Sequence, residues 1–246
     1  MANINETSGN LFESQRQTIV NTINCVGVMG KGIALEYKYR YPEMYEDYRR
    51  KCARHFFKPG VLDVWKHYDH PWILNFPTKD HWKFPSKTEY IRLGLQKFAE
   101  TYVELGITEI AFPPLGTTSG GLNWDDDVYP LMFKYLEPLN NLDVDIVHYD
   151  PDADDSFFKK FYEKVSEFGV ADYQEQIQLK KPQATRLQDA INSGEIKTML
   201  GLQGIPGLGA KSFEYIYKFA NQPFSEPNLF STKEYESEVE EANQGH

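Results

Sequence analysis

The sequence has few of the residues that mark a secreted, membrane-spanning or metal-stabilised protein. Only two of its 246 residues are cysteine, Cys25 and Cys52, which is too few for a disulfide framework or a structural zinc site. No apolar run reaches the roughly 20 residues that span a bilayer, and the polar N-terminus is not a signal peptide. We therefore expect a cytoplasmic protein without membrane contact, and nothing in the sequence implies a metal or a cofactor.

Positive charge is also scarce. Lys and Arg number 26 against 36 Asp and Glu, a net charge of −10, which excludes a general attraction of the whole surface to nucleic acid. A polyanion would need a local patch, and the basic segment from Lys38 to Lys58 is one candidate. A solvated helix face explains that segment equally well. Aromatic residues, in contrast, are abundant at 15% and indicate a densely packed core or stacking on flat ligands.

Residues 1 to about 169 alternate between short apolar runs and segments with helical spacing. This alternation predicts an α/β fold with helices on both faces of a sheet. The predicted strands are Thr18–Ile23, Val61–Trp65, Trp72–Phe76, Glu109–Phe112 and Val144–Tyr149. The first predicted helix is Ile33–Tyr41, which Pro42 interrupts, and a second one reaches about His55. Ser86 and Glu89 begin a third as a capping box and Gly106 ends it, and a fourth runs from about Asp126.

The remainder of the chain has a different character. Residues 170–225 predict a small, mainly helical region, with helices at Leu187–Asn192, Glu195–Leu200 and Ala210–Ala220. Residues 226–246 are rich in glutamate and predict an acidic, flexible tail.

Three loops that follow predicted strands carry unusual residues. They are Asn24–Gly32, Pro77–Trp82 and Gly116–Gly121. Ligands bind outside the carboxyl ends of the strands in sheets of this kind, so we expect the loops to converge there. Glycine-rich loops expose backbone N–H groups to anions, and two such loops suit a diphosphate. Two ordinary flexible turns are the alternative.

The runs IVNTINCVGVMGKGIAL, NFPTKDHWK and PPLGTTSGGLNW resemble those of a macrodomain, the ADP-ribose-binding fold. More narrowly, they resemble the DNA ADP-ribosyl glycohydrolase antitoxins of DarT–DarG toxin–antitoxin systems. The resemblance spans about residues 4–150 and implies a three-layer α/β/α fold with a mixed central sheet. It also implies an enzyme that removes ADP-ribose from nucleobases of single-stranded DNA, with an ADP-ribosyltransferase toxin as a possible partner.

The resemblance assigns catalytic roles to Lys79 and Asn24. Lys79 matches the lysine at the anomeric carbon of the distal ribose, and Asn24 matches an asparagine that holds ribose hydroxyls. A lysine amine can attack an anomeric carbon or its ring-opened aldehyde, or it can protonate the leaving base. The sequence leaves those two roles open. For Cys25 no His–Asp pattern supports a nucleophile, so packing is the better interpretation.

The phosphate-side residues follow from the same resemblance. Those of the first loop are Gly30, Lys31 and Gly32, and those of the second are Gly116, Thr117, Thr118, Ser119, Gly120 and Gly121. His81 is a further candidate for proton transfer or phosphate contact, although a structural histidine is as good an interpretation.

Two positions depart from common macrodomain patterns. Many macrodomains have an aspartate after the first strand that accepts from the adenine amine, whereas this chain has Asn10, whose side-chain oxygen would replace it. A hydrolytic branch that includes the human terminal ADP-ribose glycohydrolase has an aspartate in the second loop, where this chain has Gly120. Any catalysis therefore depends on Lys79. A non-catalytic ADP-ribose-binding module, or an antitoxin that acts by contact with a toxin, remains the alternative.

The C-terminal segment from Leu202 to Ser212 resembles a single helix–hairpin–helix motif. In that family a Gly-x-Gly hairpin directs backbone amides at a DNA phosphate, and a nearby lysine assists. Gly207, Gly209 and Lys211 match those positions. A purely structural turn between two helices is the alternative interpretation.

Overall fold

The structure, a computed structural model, describes residues 1–223. A mixed six-stranded sheet forms its centre. The predicted acidic tail, residues 226–246, lies outside the described residues. The strands are β1 (Asn3–Gly9), β2 (Thr18–Asn24), β3 (Asp63–Trp65), β4 (Trp72–Lys79), β5 (Glu109–Phe112) and β6 (Asp143–Tyr149). Their order is β1-β6-β5-β2-β4-β3, and every neighbouring pair is parallel except β3 with β4. The predicted mixed sheet is confirmed.

Helices cover both faces of this sheet. They are α1 (Gly32–Arg40), α2 (Pro42–Ala53), α3 (Thr88–Leu105), α4 (Tyr129–Leu136), α5 (Ser156–Val165), α6 (Val170–Glu175), α7 (Lys181–Ser193) and α8 (Ala210–Ala220). Successive strand residues point to opposite faces. Val20 accordingly packs with α3 and α4, whereas its neighbour Ile19 packs with α1 and α2. The three-layer α/β/α arrangement follows from these two cores. None of the helices within residues 1–223 is both long and apolar enough to cross a membrane.

A third core joins the C-terminal helices to the rest of the molecule. Leu35 of α1 and Phe161 of α5 are buried in one cluster with Leu187 of α7 and Ile216 of α8. Burial of each such side chain stabilises the folded protein by roughly 1.5–3 kcal/mol relative to leaving it exposed. The helices after residue 169 therefore share one apolar core with a helix that begins at the first glycine loop.

Buried charges reinforce this junction. The Arg40 guanidinium contacts Glu36 at 2.6 Å and Asp155 at 2.8 Å, and all three side chains are nearly inaccessible to solvent. Burial raises the pKa of Glu36 to about 7 against the opposing attraction of Arg40. Asp155 also accepts the Met199 amide at 2.9 Å, so the same carboxylate binds α1 to the segment before α8. Breaking such a buried pair is costly because it leaves a charge without its partner.

Two local predictions were wrong. The N-cap of α3 is Lys87 rather than Ser86, and no side chain caps that helix. Ser86 instead packs behind the second glycine loop, where its amide donates to the Gly120 carbonyl at 3.0 Å. Residues 195–200 are not helical, because Gly194 ends α7 in a left-handed conformation and the chain then turns at Thr198. The Thr198 hydroxyl lies 2.7 Å from the Tyr149 hydroxyl of β6.

Candidate functional site

The carboxyl ends of β2, β4 and β5 bring the three predicted loops to one edge of the sheet, although the loop predicted from Pro77 begins later, because Pro77, Thr78 and Lys79 still belong to β4. β2 lies between β4 and β5 and is parallel to both. Asn24, the last residue of β2, pairs with Lys79, the last residue of β4. The first glycine loop (residues 25–32) follows β2, and the second glycine loop (residues 113–122) follows β5. Both loops therefore leave the sheet next to Lys79.

Lys79 contacts the second glycine loop directly. Its Nζ donates to the Ser119 carbonyl oxygen at 2.6 Å. Partial burial and the nearby positive charge of Lys31 both lower the pKa of the Lys79 ammonium below its usual value. The strand end is fixed from the other side as well, because the Cys25 amide donates to the Asp80 carbonyl at 3.0 Å. A lysine with a lowered pKa and a fixed position has the chemistry of a nucleophile or a proton donor.

The second glycine loop holds its shape through its own backbone. The Gly121 amide donates to the Thr117 carbonyl at 3.0 Å, and the Leu122 amide donates to the Gly116 carbonyl at 3.1 Å. Gly120 is sterically required, since a Cβ at this position would lie 2.1 Å from the Gly116 carbonyl oxygen. The glycine that replaces a catalytic aspartate of another branch is therefore a structural element of this loop.

Several amides in the second loop have no partner. Within residues 1–223, the N–H groups of Thr118, Ser119 and Gly120 donate to no other protein atom. Thr118 and Ser119 are also exposed to solvent. Consecutive free amides of this kind form a binding site for an anion such as a phosphate.

The first glycine loop is held by side chains rather than by its own backbone. The Asn24 Oδ1 accepts the Val26 amide at 3.1 Å and the Val28 amide at 3.3 Å, and its Nδ2 donates to the Val28 carbonyl. The Tyr48 hydroxyl donates to the Asn24 backbone carbonyl at 2.8 Å and lies 3.1 Å from Oδ1. Asn24, predicted to hold ribose hydroxyls, thus uses its side chain to shape the loop, and its Oδ1 is fully occupied by these partners.

Gly32 at the end of the first loop is bound by a residue that the sequence did not single out. The Gly32 amide donates to Gln203 Oε1 at 2.8 Å, and Gln203 Nε2 donates back to the Gly32 carbonyl at 3.1 Å. The predicted phosphate contact of the Gly32 amide is therefore already occupied by a side chain. The amides of Gly30 and Lys31, both exposed, donate to no group in the described part of the chain.

The two loops approach each other closely. A Cβ at Gly32 would lie 3.6 Å from the Ser119 hydroxyl oxygen. Lys31 is near enough to Lys79 to lower the pKa of its ammonium. The end of the first loop and Ser119 of the second loop are therefore neighbours, and the Lys79 amine lies beside Ser119.

Two predicted ligand contacts are occupied by local structure. The Asn10 Oδ1 accepts the Phe12 amide at 3.1 Å, and its Nδ2 donates to the Asp154 carbonyl at 3.3 Å, so the oxygen expected to meet adenine caps a short 3-10 turn. The His81 Nδ1 accepts the Lys83 amide at 3.2 Å, which fits a histidine that stabilises its own turn. The sequence left a structural role open for His81, and it gave no sign that Asn10 caps a turn.

The thiol of Cys25 is no nucleophile in this structure. Burial raises its pKa to about 12, with a further contribution from Asp80. A thiol with that pKa is protonated at neutral pH and unreactive.

Two exposed aromatic side chains, Trp82 and Phe84, follow Lys79 within five residues. Trp82 is 48% exposed and Phe84 is 63% exposed. His81 stacks on Trp82 with ring centroids 5.7 Å apart, and the Lys83 Nζ lies 5.3 Å from the Trp82 ring centroid. Exposed rings interleaved with lysines are typical of surfaces on which bases stack.

The helix–hairpin–helix-like segment forms a turn between residues 201–204 and α8. Gly207 has a φ of +83°, and the Arg186 side chain packs against it and donates to the Pro206 carbonyl at 3.0 Å. Gly209 is the N-cap of α8, and Lys211 lies in its first turn with its ammonium 5.4 Å from the Tyr215 ring centroid. The amides of Gly207 and Gly209 donate to no other group among residues 1–223.

Comparisons with known proteins agree with this geometry. A family model described as Macro domain matches residues 20–129. A DNA ADP-ribosyl glycohydrolase of Mycobacterium tuberculosis is 44% identical over 152 residues, which cover 58% of this chain and 41% of that protein. The chain therefore spans about two fifths of the length of the curated glycohydrolases that it matches.

Solved structures give the same result. The macrodomain of Mycobacterium tuberculosis DarG is 43% identical with a TM-score of 0.56, and the match covers 61% of this chain and 98% of that one. Thermosipho africanus DarTG in complex with ADP-ribose is 33% identical with a TM-score of 0.56, over 64% of this chain and 44% of that one. The chain belongs to the macrodomain family.

Proposed function

We propose that this protein is an ADP-ribosyl glycohydrolase that removes ADP-ribose from nucleobases of single-stranded DNA. The observation that carries the proposal is the Lys79 amine, with its lowered pKa, held between two glycine loops whose free amides suit a diphosphate. Similar proteins are named DNA ADP-ribosyl glycohydrolases, and one solved relative binds ADP-ribose.

The diphosphate would lie between the loops. Thr118, Ser119 and Gly120 supply amides on one side, and Gly30 and Lys31 supply them on the other, with the Lys31 ammonium as a counter-charge. Hydrogen bonds from N–H groups to an ionised phosphate are stronger than those between neutral groups. This placement brings the distal ribose to Lys79, which lies beside Ser119.

Lys79 can act on the glycosidic bond in two ways. As a nucleophile, the neutral amine attacks the anomeric carbon, the bond to the nucleobase breaks with its electron pair, the base takes up a proton, and water then hydrolyses the ribosyl–lysine adduct. As a general acid, the ammonium donates a proton to the leaving base while water attacks the anomeric carbon. The lowered pKa of Lys79 increases the neutral fraction needed for attack and also makes the ammonium a better donor.

A nucleic-acid substrate is supported by the surface next to Lys79. Trp82, Phe84 and Lys83 offer exposed rings and a positive charge where the strand that carries the modified base would lie. Stacking on aromatic side chains is the usual way in which single strands are held, and it does not need a chain of positive net charge. Gly207, Gly209 and Lys211 would add a phosphate contact from the C-terminal region.

We further propose an ADP-ribosyltransferase toxin as the functional partner and the cytoplasm as the location, as the resemblance to DarT–DarG systems implies. A contact antitoxin is the alternative, and it is tested with the full chain. Lys79→Ala would still neutralise the toxin if contact alone were sufficient, and it would fail if hydrolysis were required.

A second candidate function is an ADP-ribose-binding module without turnover. It is favoured by Gly120, which leaves the second loop without the aspartate of another hydrolytic branch. The deciding experiment is mass spectrometry of an ADP-ribosylated single-stranded oligonucleotide after incubation with wild type or Lys79→Ala. Loss of the ADP-ribose mass with wild type alone supports the hydrolase. No loss with either protein, together with ADP-ribose binding by both, would leave the binding module.

The same assay separates the two roles of Lys79. The ribosyl–lysine adduct forms a Schiff base when its ribose ring opens, and borohydride added during turnover reduces that Schiff base to a stable amine. A nucleophilic lysine would therefore retain the mass of the ADP-ribosyl group. Peptide mapping should then place that mass on the peptide that contains Lys79. Rapid turnover without trapping would favour the general acid.

A further inference from the structure

Gln203 forms a paired contact between the C-terminal helical region and the first glycine loop. Its side-chain amide accepts the Gly32 N–H at 2.8 Å and donates to the Gly32 carbonyl at 3.1 Å. One side chain thus holds both polar groups of one residue, although the two positions lie 171 residues apart in the chain. Such a pairing fixes the orientation of the Gly32 backbone as well as its position.

The segment that carries Gln203 is itself firmly held. Its neighbour Leu202 is fully buried in the third core. The Tyr39 hydroxyl of α1 donates to the Ala210 carbonyl at 2.8 Å just beyond it, and the Asp155 carboxylate binds the Met199 amide just before it. The backbone around Gln203 is therefore fixed by its neighbours, and the two hydrogen bonds from the Gln203 side chain restrict the motion of Gly32.

Gly32 occupies a sensitive position in the site. Its φ of +62° is in the left-handed region, which glycine adopts readily. Because glycine can also adopt many other backbone conformations, an external contact is needed to hold it in this one. It is also the point at which the first loop approaches Ser119, whose carbonyl binds the Lys79 amine. A loop that is already ordered loses less conformational entropy when a ligand binds.

We infer that Gln203 is a positioning residue for the phosphate-side loop, so that the helical region after residue 169 is a part of the ligand site rather than an appendage. The inference rests on the proposed binding of ADP-ribose. It assigns to Gln203 no contact with the ligand; the residue acts through Gly32.

The test compares Gln203→Ala with wild type in calorimetric titrations with ADP-ribose. Without the Gln203 contact the first loop must be ordered when the ligand binds, which predicts a Kd increased roughly 3- to 10-fold. Gln203→Glu should bind more weakly still, because it loses the donor to the Gly32 carbonyl and adds a negative charge beside the diphosphate. On the oligonucleotide substrate, KM should rise while kcat changes less than about twofold, since the chemistry at Lys79 is untouched.

Gln188→Ala is the matched control. Gln188 is a partly buried glutamine of the same region that donates to the Phe168 carbonyl at 2.8 Å, with no contact to either glycine loop. Its loss should leave the Kd for ADP-ribose unchanged, even if the melting temperature falls as much as in Gln203→Ala. An unchanged or tighter Kd in Gln203→Ala would overturn the inference, the tighter one because Gln203 would then compete with the ligand for the Gly32 amide.

Hydrogen exchange of the free protein decides the inference without any ligand. Amides of residues 28–33 should exchange faster in Gln203→Ala than in wild type, and Gln188→Ala should match the wild type there. Equal exchange in all three proteins would also overturn it. If wild type did not bind ADP-ribose at all, the proposed function would fail, whereas exchange in this segment would still report on Gln203.

Discussion

The two glycine loops offer amides to the same small region, yet they are built in opposite ways. The second loop is closed mainly by hydrogen bonds between its own peptides and by the absence of a side chain at Gly120, with further contacts from Ser86 and Lys79. The first loop depends on side chains outside it, namely Asn24 at the strand end, Tyr48 of α2 and Gln203 of the C-terminal region. One loop is held mainly by its own backbone and the other mainly by side chains, of which Gln203 is the most distant along the chain.

This difference has consequences for how each loop fails. A locally closed loop should tolerate changes elsewhere in the molecule and fail when one of its own glycines is replaced. A loop held from outside should loosen by degrees as each distant contact is removed. Lys79 interacts with both loops, since it donates to the Ser119 carbonyl of the second loop and the Lys31 charge of the first loop lowers its pKa.

The largest effect is expected at that shared residue. Lys79→Ala should lower kcat on the ADP-ribosylated oligonucleotide by about 100- to 10,000-fold, the range for loss of a proton-transfer group. The Kd for ADP-ribose should change little, because the loop amides remain. Lys79→Arg serves as the comparison, since arginine keeps the charge and cannot supply a neutral amine. Turnover by Lys79→Ala within tenfold of wild type would remove this residue from the chemistry.

Gly120→Ala should break the locally closed loop. The added Cβ would lie 2.1 Å from the Gly116 carbonyl oxygen and 2.3 Å from the Ser86 hydroxyl, so the loop must move. We expect a stability loss of about 1–3 kcal/mol by overpacking and loss of measurable ADP-ribose binding. Gly204→Ala is the control, because a Cβ there meets no atom within 4 Å. Normal binding by Gly120→Ala would show that the loop is not closed in the way described.

Asn24→Ala should weaken the externally held loop in part. It removes the acceptor for the Val26 and Val28 amides, whereas Asn24→Asp retains that acceptor and loses only the donor to the Val28 carbonyl. Titration should show a Kd for ADP-ribose that rises by roughly 10-fold for the alanine variant and by less for the aspartate variant, because a loosened loop must be ordered when the ligand binds. If the two variants were equally impaired, the acceptor oxygen would not be what holds the loop.

The smallest effect is a shift of the pH profile in Lys31→Gln. Removing this positive charge should raise the pKa of Lys79 towards its usual value, so the neutral amine would appear only at higher pH. With a nucleophilic Lys79, kcat rises with pH, and the variant should move that rise to higher pH and lower kcat near neutrality. With a general acid, kcat falls with pH, and the fall should move to higher pH instead. Lys97→Gln on α3 is the control, and an unmoved profile would argue against electrostatic coupling of the loops.

The sequence predicts the locally specified parts of this molecule well. The strands that end at the site show as apolar runs, the glycines of both loops are visible at once, and the NFPTKDHWK run identifies Lys79 through the resemblance. The edge strand β1 has no apolar run, because its side chains are mostly exposed.

What the sequence did not reveal is which partners the polar side chains bind, whether near or far along the chain. Asn24 looked like a ligand residue because its motif says nothing of the partners its amide meets inside the loop. Gln203 carries no local signal, since its meaning depends on a residue 171 positions away. Ser86 matched a capping pattern but is bound instead to the second loop, where tertiary packing overrides the helix start.

The contact between Gly32 and Gln203 also sets an order of events during synthesis. When Gly32 is added to the growing chain, its partner is still 171 residues from being added, an interval of roughly 10–30 s at the usual elongation rates. The second loop, with its backbone bonds spanning a few residues, can close as soon as it emerges. A nascent chain therefore acquires one half of its ligand site early and the other half only after its C-terminal helices have docked, so incomplete chains should be unable to sequester the ligand.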